Sequence, residues 1–383
     1  MDITFLGTSS GVPTQSRSTT CIALRYNGDI WLFDAGEGTQ RQFQGSVHSP
    51  SMVRKIFISH MHGDHVFGLP SLLCEIGLAQ KQRDFVVDIY GPEGLRDFLY
   101  TAILTTYSTV VPRFRVHEMK KIPCRRGGSR LSRSLGSRYG GSFLRAKDMA
   151  ESRDLFPDSN GVYQLVAPNN KFVNYRGTGK AEIKGTDDTS SLAVRAAPMD
   201  HSIPCVGFVI TELDKRGMLR ADRVADIIER NRDQIPAHFE VQRPEHVYKL
   251  LKALEPGDSI TFPDGTQVKA DDVLDPPRKG RKVVIMGDTC SGEYMRGIAM
   301  DADLVVHEAT NAWTPGVSEA SGHNSPKELE RELISRGHST PDMAGRFAAR
   351  VRAKHLVLTH FSARFGGGTS SYELEQMDLV GRL

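Results

Sequence analysis

Residues 56–70 read IFISHMHGDHVFGLP, and this stretch decides the fold that the sequence predicts. Ile56 to Ile58 form a short apolar run, which is typical of a buried strand. Polar residues begin where this run ends, and three histidines and one aspartate fall within six positions. A single histidine is more often an ordinary surface or core residue than a ligand. This density predicts a metal site at the end of a strand, with the candidate ligands His60, His62, Asp64 and His65.

Length and composition place few limits on function. The 383 residues are enough for one large or two ordinary domains, and no apolar run is long enough to predict a membrane span. A strand is predicted from residue 3, which leaves no room for a targeting peptide, so an intracellular location is expected, cytoplasmic or nuclear. The net charge of +3 is too small to indicate a nucleic-acid partner by itself.

The cysteines exclude some kinds of site. There are five, an odd number, widely spaced and without any CxxC pair. This usage argues against a disulfide framework and against a structural zinc knuckle, and it is typical of reduced thiols in a reducing compartment. The cysteines are Cys21, Cys74, Cys124, Cys205 and Cys290.

The hydrophobic pattern predicts an α/β protein whose two halves each contain a sheet and helices. Strands are expected in both halves, and two amphipathic helices are expected in the first, at PSLLCEIGLAQKQ and PEGLRDFLYTAI. The predicted strands are ITFLG, TCIALRY, DIWLFDAG, KIFIS, DFVVDIYG and FRVHEM in the first half, and SSLAVRAAPMDHS, CVGFVITE, RKVVIMGDT, DADLVVHEAT and KHLVLTHFS after residue 185.

Two segments interrupt this pattern. Residues 124–147 contain six arginines, one lysine and no acidic residue among many Gly and Ser, which predicts a flexible basic loop. This loop is either a phosphate contact or a solvated insertion without a function of its own. The second segment, 213–257, contains LRADRVADIIE, where Leu219, Val224, Ile227 and Ile228 would line one helical face. We therefore expect one domain over 1–383 with insertions at 124–185 and 213–257.

Three further candidate ligands follow apolar strands in the second half, namely His201, Asp288 and His360. They bring the total to five histidines and two aspartates. A catalytic site for one zinc ion uses three protein ligands and leaves one position open. Seven ligands exceed that number, and they suit two ions about 3.5 to 4 Å apart that share one carboxylate.

The segment HMHGDH resembles the HxHxDH signature of the metallo-β-lactamase fold, a four-layer αββα sandwich, and the later ligands follow in the order of that fold. Further blocks narrow the resemblance to the tRNase Z family, nucleases that remove the 3′ trailer from precursor tRNA. HEAT at 307–310 and HST at 338–340 are its most specific parts. The other blocks are FLGTSSGVP, WLFDAGEGTQRQ, HGDHVFGLPSLL, IYGPEGL, VVIMGDT, GHSTPDMAG and LVLTHFSARF.

The resemblance implies two zinc ions per subunit and a role for each ligand. His60, His62 and His201 would bind one ion, and Asp64, His65 and His360 would bind the other. Asp288 would bridge the two ions. Zinc lowers the pKa of a bound water to about 7, so a hydroxide nucleophile would be present at neutral pH, and Asp64 would accept the proton of the water.

The resemblance also implies a proton donor for the departing ribose 3′-oxygen, which we assign to His338. Glu308 would be its partner, because a carboxylate beside an imidazole fixes its tautomer and raises its pKa. The alternative is that His307 and Glu308 only cap a strand. Cleavage would leave a 3′-hydroxyl on the tRNA and a 5′-phosphate on the trailer.

By the same resemblance the protein is expected to be a homodimer that binds precursor tRNA through an arm at 213–257 in addition to the basic loop. The first Gly-rich loop keeps Pro13 and Arg17 of the family pattern PxKxRN without its lysine and asparagine, which leaves cleavage before or after a CCA sequence open. The expected RNA contacts are Arg17, Lys215, Arg216, Arg220, Ser339 and Thr340.

Two alternatives stay open from the sequence. A thioesterase or sulfatase of the same fold would use the same metal ligands and act on small molecules. A non-catalytic RNA-binding subunit would need no intact ligand set, and all seven ligands are present in this chain.

Overall fold

The computed structural model describes residues 1–81, 85–125, 151–167, 172–175, 181–184, 191–214, 217–320 and 322–365. The chain forms two compact units. The first contains Met1–Thr211 and Lys282–Leu383, and the second contains Glu212–Arg281. Of the predicted basic loop at 124–147, only Cys124 and Arg125 belong to the described residues, and Lys215 and Arg216 also lie outside them.

The first sheet of the first unit carries the segment with the first four candidate metal ligands. Its strands from β4 to β8 are parallel neighbours, whereas β3 is antiparallel to both β1 and β4. Parallel strands end at the same edge of a sheet, so the residues after β4 and β5 lie side by side. The order in space is β1 (Asp2–Gly7), β3 (Cys21–Tyr26), β4 (Asp29–Phe33), β5 (Val53–Phe57), β6 (Val86–Pro92), β7 (Arg113–Met119) and β8 (Asp154–Leu155).

The second sheet also brings several strand ends together, because β16, β17 and β18 are parallel. Its order is β18 (Leu356–Thr359), β17 (Leu304–Glu308), β16 (Lys282–Ile285), β13 (Cys205–Glu212), β12 (Leu192–Met199) and β9 (Tyr163–Val166). Short strand pairs complete the described strands of this unit, namely β2 (Ser9–Ser10) with β19 (Phe361–Ser362), and β10 (Phe172–Tyr175) with β11 (Ala181–Lys184).

Alternate residues of each strand face different cores. In β5, Ile56 packs in the core between the first sheet and its helices, whereas Phe57 packs in the core between the two sheets. The ring centroids of Phe57 and of Phe208, which belongs to the second sheet, are 5.7 Å apart. A third core joins the second sheet to the helix that contains Phe347. Helices therefore cover the outer faces of two stacked sheets, which confirms the predicted four-layer αββα sandwich.

The helices of the first unit include both predicted ones, at α3 and α4. Among the described residues, no helix combines the length and apolar character that a membrane span needs. The helices are α1 (Thr39–Gln44), α2 (Gly63–Val66), α3 (Leu69–Ala79), α4 (Leu95–Thr105), α9 (Arg296–Ala299), α10 (Val317–Ala320), α11 (Pro326–Arg336) and α12 (Pro341–Arg350), with 3-10 helices at Pro50–Met52, Glu293–Met295 and Ala363–Phe365.

The second unit has a core of its own. Val224 and Ile228 of α5 are buried there, as the helical pattern predicts, and Leu219 and Ile227 pack against them. Phe262 and other buried residues beyond position 257 belong to the same core, so the unit extends past the predicted insertion 213–257 to Arg281. Its elements are α5 (Asp222–Arg230), α6 (Ile235–His238), a 3-10 helix (Pro244–His246), α7 (Val247–Ala253), the paired strands β14 (Ser259–Thr261) and β15 (Gln267–Lys269), and α8 (Ala270–Val273).

The second unit leaves and rejoins the first at neighbouring positions. Thr211 of β13 pairs with Lys282 of β16 in the second sheet. The two ends of the second unit, Glu212 and Arg281, form an ion pair with a shortest distance of 2.7 Å. The unit is therefore inserted as one long connection between two adjacent antiparallel strands.

Candidate metal centre

All seven predicted metal ligands come together at the strand ends of the two sheets. His60 to His65 follow β5, and His201, Asp288 and His360 follow β12, β16 and β18. Five of the seven are buried, whereas His62 and Asp64 are partly exposed. The side of the cluster at His62 and Asp64 is therefore open to solvent.

The first group of possible ligands contains His60, His62, His201 and Asp288, with ligand atoms within 4.8 Å of one another. Nδ1 of His62 lies 3.1 Å from Nε2 of His60 and 3.3 Å from Nε2 of His201. The remaining ring nitrogens of two histidines have partners outside the group. Nδ1 of His201 donates to the carbonyl of Gly337 at 2.8 Å, and Nδ1 of His60 lies 3.0 Å from the hydroxyl of Ser59.

The second group contains Asp64, His65 and His360. Nε2 of His360 lies 3.2 Å from Nε2 of His65 and 3.3 Å from Oδ2 of Asp64. The same Asp64 oxygen accepts the backbone N–H of Gly11 at 2.6 Å, which fixes the carboxylate in place.

Asp288 lies between the two groups. Its Oδ1 is 3.4 Å from Nε2 of His65 and 3.3 Å from Nε2 of His360, whereas its Oδ2 is 3.7 Å from Nε2 of His60. Each carboxylate oxygen therefore faces a different group. This geometry is what a carboxylate that bridges two ions requires.

The hydrogen bonds around the second group leave two nitrogen lone pairs facing each other. Nδ1 of His65 must donate to the carboxylate of Asp34 at 2.8 Å. The Thr310 hydroxyl donates to Glu308 at 2.7 Å, so its oxygen accepts from Nδ1 of His360 at 3.0 Å. In neutral rings the Nε2 atoms of both histidines then carry lone pairs only 3.2 Å apart, which is unfavourable unless a cation lies between them.

The charges of the cluster also favour a cation. Burial opposes the protonated form of His65, but the carboxylates of Asp288 and Asp34 outweigh it and raise its pKa well above the usual value. Burial likewise opposes ionisation of Asp288, and the surrounding His360, His65 and His60 hold its pKa well below the usual value. Burial lowers the pKa of His62 to about 4, so this ring is neutral at pH 7. Neutral imidazoles and ionised carboxylates are the ligand forms that bind zinc, so a bound ion would replace the proton that His65 otherwise holds between these carboxylates.

His338 lies beside the ligands and contacts Glu308, as predicted. Its Nδ1 is 3.1 Å from Oε1 of Glu308 and 3.7 Å from Oδ2 of Asp288. Burial disfavours the charged imidazole, but the hydrogen bond and charge of Glu308 outweigh this effect and raise the pKa of His338 to about 9. Glu308 also accepts the backbone N–H groups of Thr289 and Thr310, so it organises the strand ends in addition to contacting His338.

Asp34 is a residue of this site that the sequence analysis missed. It follows β4 in a left-handed backbone conformation, with φ of 60°. Besides His65, its carboxylate accepts both the N–H of Ser59, at 2.7 Å, and the hydroxyl of Ser59, at 2.8 Å. Asp34 therefore orients His65 directly and His60 through Ser59. A polar residue directly after an apolar strand was the signal that identified the ligands, and the same signal marks Asp34.

Arg125 and Asp200 form a second arrangement that the sequence analysis missed. The Arg125 guanidinium donates to both carboxylate oxygens of Asp200, at 2.6 and 3.2 Å, and also to the carbonyl of Ile334 in α11. Asp200 directly precedes His201. Helix α11 ends at Arg336, directly before Gly337, whose carbonyl accepts from that histidine. Arg125 therefore connects, through hydrogen bonds, the segment that contains His201 and the end of α11, which supplies the acceptor for His201.

The predicted RNA contacts have other partners in the described structure. Arg17 donates to Thr8 at 3.1 Å and lies 5.0 Å from the ring centroid of Phe361. Arg220 forms an ion pair with Asp275 at 2.6 Å. The two polar residues after His338 are buried, since Ser339 donates to the Thr289 carbonyl and Thr340 caps α12. Their contact with RNA stays a prediction, and Lys215 and Arg216 lie outside the described residues.

Fold and site together define the class of the protein. Two sheets with helices on both outer faces, and a cluster of histidines and aspartates at the strand ends, are the features of the metallo-β-lactamase fold. The cluster fits metal ions, because its donor atoms converge and the outer nitrogens of four of its five histidines are already hydrogen-bonded.

Comparison with known proteins narrows this class. The chain is 35% identical over 371 residues to zinc phosphodiesterase ELAC protein 1 of Mus musculus, covering 95% of this chain and 87% of the relative. It is 33% identical to ribonuclease Z of Microcystis aeruginosa, covering 97% of this chain and 87% of the relative. The crystal structure of human tRNase Z, short form (ELAC1), matches with a TM-score of 0.57 and 28% identity over 95% of this chain and 94% of that one.

These similarities extend over almost the whole chain. The protein belongs to the family of ribonuclease Z and the ELAC1 zinc phosphodiesterases, which confirms the resemblance seen in the sequence. A family model described as Anti-Pycsar protein Apyc1 also matches, over residues 1–110 only.

The contacts of Asp34 predict the effect of its replacement. Asp34→Asn removes the negative charge next to His65 and weakens the hydrogen bonds that orient His65 and Ser59. Replacing a group that orients a metal ligand typically lowers metal affinity by about 10- to 100-fold, and we expect a loss in that range for zinc. Competition with a chromogenic chelator measures the affinity.

Asp88→Asn is the matched control for this replacement. Asp88 is also an aspartate hydrogen-bonded to a histidine, at 3.0 Å from Nε2 of His117, and it belongs to neither ligand group. Its replacement should lower the unfolding temperature and leave zinc affinity unchanged. If Asp34→Asn bound zinc as tightly as the unchanged protein, Asp34 would not have the orienting role that we assign to it.

Proposed function

We propose that the protein is a zinc-dependent endoribonuclease that removes the 3′ trailer from precursor tRNA, leaving a 3′-hydroxyl on the tRNA and a 5′-phosphate on the trailer. The observation that carries the proposal is the position of His338, held by Glu308 next to the shared carboxylate Asp288. Relatives named ribonuclease Z and zinc phosphodiesterase favour this function over a thioesterase or sulfatase of the same fold.

The ligand groups support two zinc ions per subunit. His60, His62 and His201 would hold one ion, Asp64, His65 and His360 would hold the other, and Asp288 would be shared. The ions, when bound, would stabilise the charge of the phosphate and activate a water molecule at neutral pH.

The residues of the chain would perform the proton transfers. Glu308 accepts from Nδ1 of His338, so the protonated ring presents its Nε2–H to the leaving 3′-oxygen. Nearby cations lower the pKa of an imidazole, and they would bring that of His338 down from about 9 toward neutrality, where a general acid works best. The ring of His338 stacks on that of His360, with centroids 5.7 Å apart and an angle of 18° between planes, which restricts its orientation.

Asp64 would hold the attacking water. Burial opposes its ionised form, but the neighbouring His360 and His65 outweigh burial and hold its pKa well below the usual value. Its carboxylate is therefore ionised at neutral pH and accepts hydrogen bonds. Gly11 fixes one oxygen, and the partial exposure of Asp64 gives water access.

We further propose that the second unit, Glu212–Arg281, grips the tRNA. We also propose that the enzyme acts inside the cell, where precursor tRNA is made. The second unit has its own core and is inserted between two strands that pair directly with each other. The unit is therefore not needed to form the ligand cluster. The homodimer implied by the resemblance stays a prediction.

Mapping the product ends tests the function. A precursor tRNA with a labelled 3′ trailer is incubated with the zinc-loaded protein, and both products are sequenced to their ends. We expect one cut near the 3′ end of the acceptor stem, with the hydroxyl on the tRNA and the phosphate on the trailer. Hydrolysis of simple thioesters or sulfate esters without cleavage of the precursor would overturn the proposal.

Replacing His338 separates acid catalysis from metal binding. His338→Ala should keep the zinc content and slow cleavage by roughly 10²- to 10⁴-fold, the usual contribution of a general acid. A substrate with a 3′-sulfur leaving group, which needs little protonation, should restore most of the rate. In the unchanged enzyme, the cleavage rate of the oxygen substrate should fall as the pH rises through the pKa of His338, because the ring loses the proton that it donates. The cleavage rate of the sulfur substrate should not show this decrease.

His355→Ala, which removes an exposed histidine, is the control for this experiment. It should leave both rates unchanged. An equal loss on the oxygen and sulfur substrates in His338→Ala would assign His338 to structure or phosphate binding.

Removing the second unit tests the RNA grip. Because Thr211 and Lys282 are already paired, residues 213–280 can be replaced by an Asn-Gly turn, which suits a two-residue hairpin. Precursor cleavage at low RNA concentration should be lost, because binding energy from a part of the protein that contributes nothing to the ligand cluster is removed. Hydrolysis of bis(p-nitrophenyl) phosphate should survive, since it needs only the ligand cluster. Retention of both activities would contradict the grip, and loss of both would show that the fold needs the unit.

A further inference from the structure

Phe67 exposes an aromatic ring next to the candidate metal ligands. It follows α2, the short helix that contains Asp64 and His65, and it is 64% exposed. The next apolar residue along the chain, Leu69, is fully buried. A large aromatic side chain that stays exposed beside a functional site is a candidate contact surface.

The ring of Phe67 is supported from behind by the backbone of the ligand segment. A Cβ added at Gly63 would meet the ring at 2.3 Å, so the ring lies directly against the glycine. The N–H of Phe67 also donates to the Gly63 carbonyl at 2.9 Å. Gly63 stands between His62 and Asp64, which places the supported ring at the partly exposed side of the cluster.

A second apolar side chain is exposed next to the same carboxylate. Val12 is 58% exposed and follows Gly11, whose N–H donates to Asp64 at 2.6 Å. The turn is held by the Ser9 hydroxyl, which donates to the Val12 carbonyl at 2.7 Å. Apolar surface therefore adjoins Asp64 in two chain segments.

We propose that the Phe67 ring is a stacking surface for an unpaired nucleobase next to the scissile phosphate. The inference rests on the proposed function and adds a binding contact to it. A trailer varies in sequence, so a contact with its bases must tolerate any base, and stacking on an aromatic ring does so because every base has a π-face. The ring held against Gly63 needs little ordering when a base binds, and it keeps the phosphate of that nucleotide near the ligand cluster.

Two precursor substrates test the proposal. Each carries one abasic nucleotide, either directly before or directly after the cleaved phosphate, so the pair identifies which base stacks. Loss of one base–aromatic stack corresponds to roughly 5- to 150-fold in affinity, and the unchanged enzyme should lose this factor in kcat/KM on one of the two. On the normal substrate, Phe67→Ala should lower kcat/KM by a similar factor. On the abasic substrate that the unchanged enzyme cleaves slowly, Phe67→Ala should cause no further loss.

Other variants separate stacking from simple loss of structure. Phe67→Trp and Phe67→Tyr should retain activity and Phe67→Leu should not, because only the aromatic replacements have a π-face. Zinc content and unfolding temperature are measured for each variant. Tyr107→Ala, which removes another exposed aromatic side chain, is the matched control and should behave as the unchanged enzyme.

A binding measurement distinguishes failure of this inference from failure of the proposed function. Short single-stranded RNA containing 2-aminopurine loses fluorescence when the base stacks, and the quenching requires no cleavage. Quenching that depends on Phe67 would support stacking even if precursor tRNA is not the substrate. Three results would overturn the proposal. Phe67→Ala could quench the fluorescence as strongly as the unchanged enzyme, or the unchanged enzyme could cleave both abasic substrates at the normal rate. The third is that the losses in kcat/KM from Phe67→Ala and from the missing base multiply when the two changes are combined. A change in oligomeric state in Phe67→Ala would assign the ring to a contact between subunits instead.

Discussion

A carboxylate that stays ionised in a protein interior needs positive charge or hydrogen-bond donors around it. Asp288 is such a carboxylate, and the arrangement of the site follows from it. It is almost fully buried, and three histidines face its two oxygens at 3.3 to 3.7 Å. Those histidines are in turn fixed by Asp34, Ser59 and Thr310, so one buried charge determines the orientation of side chains from both sheets.

The convergence of the candidate ligands could be predicted from the sequence because each follows an apolar strand, and parallel strands end at a common edge. The hydrophobic pattern predicted an α/β protein, whereas the four-layer sandwich was predicted from the resemblance of HMHGDH to a fold signature. That Ile56 and Phe57 of β5 face two different cores became visible only in the structure. Asp34 was missed although it follows a strand, because its role depends on a left-handed turn that directs the carboxylate back toward His65. The sequence marks the position of Asp34 after its strand, but it does not show the direction in which the turn points the carboxylate.

The extent of the second unit and the ion pairing of the expected RNA contacts could not be predicted, for two physical reasons. The core of the unit is shared among short helices and a two-stranded sheet, and Phe262 and Val268 lie in segments too short to show a period. Counting basic residues also does not reveal which of them are paired. Arg220 looks like a phosphate contact in the sequence, but in the structure it is bound to Asp275, 55 positions further along the chain.

The adjacent ends of the second unit have a consequence for how such enzymes can diverge. Glu212 and Arg281 form an ion pair, and the strands that precede and follow the unit are paired with each other. The chain between these two residues can therefore lengthen, shorten or be exchanged for another without moving any candidate ligand. Insertions are tolerated best where both ends already meet. Selection could therefore exchange or resize this unit while the ligand cluster is inherited unaltered, and the unit would be expected to vary faster among descendants of one ancestor than the cluster does.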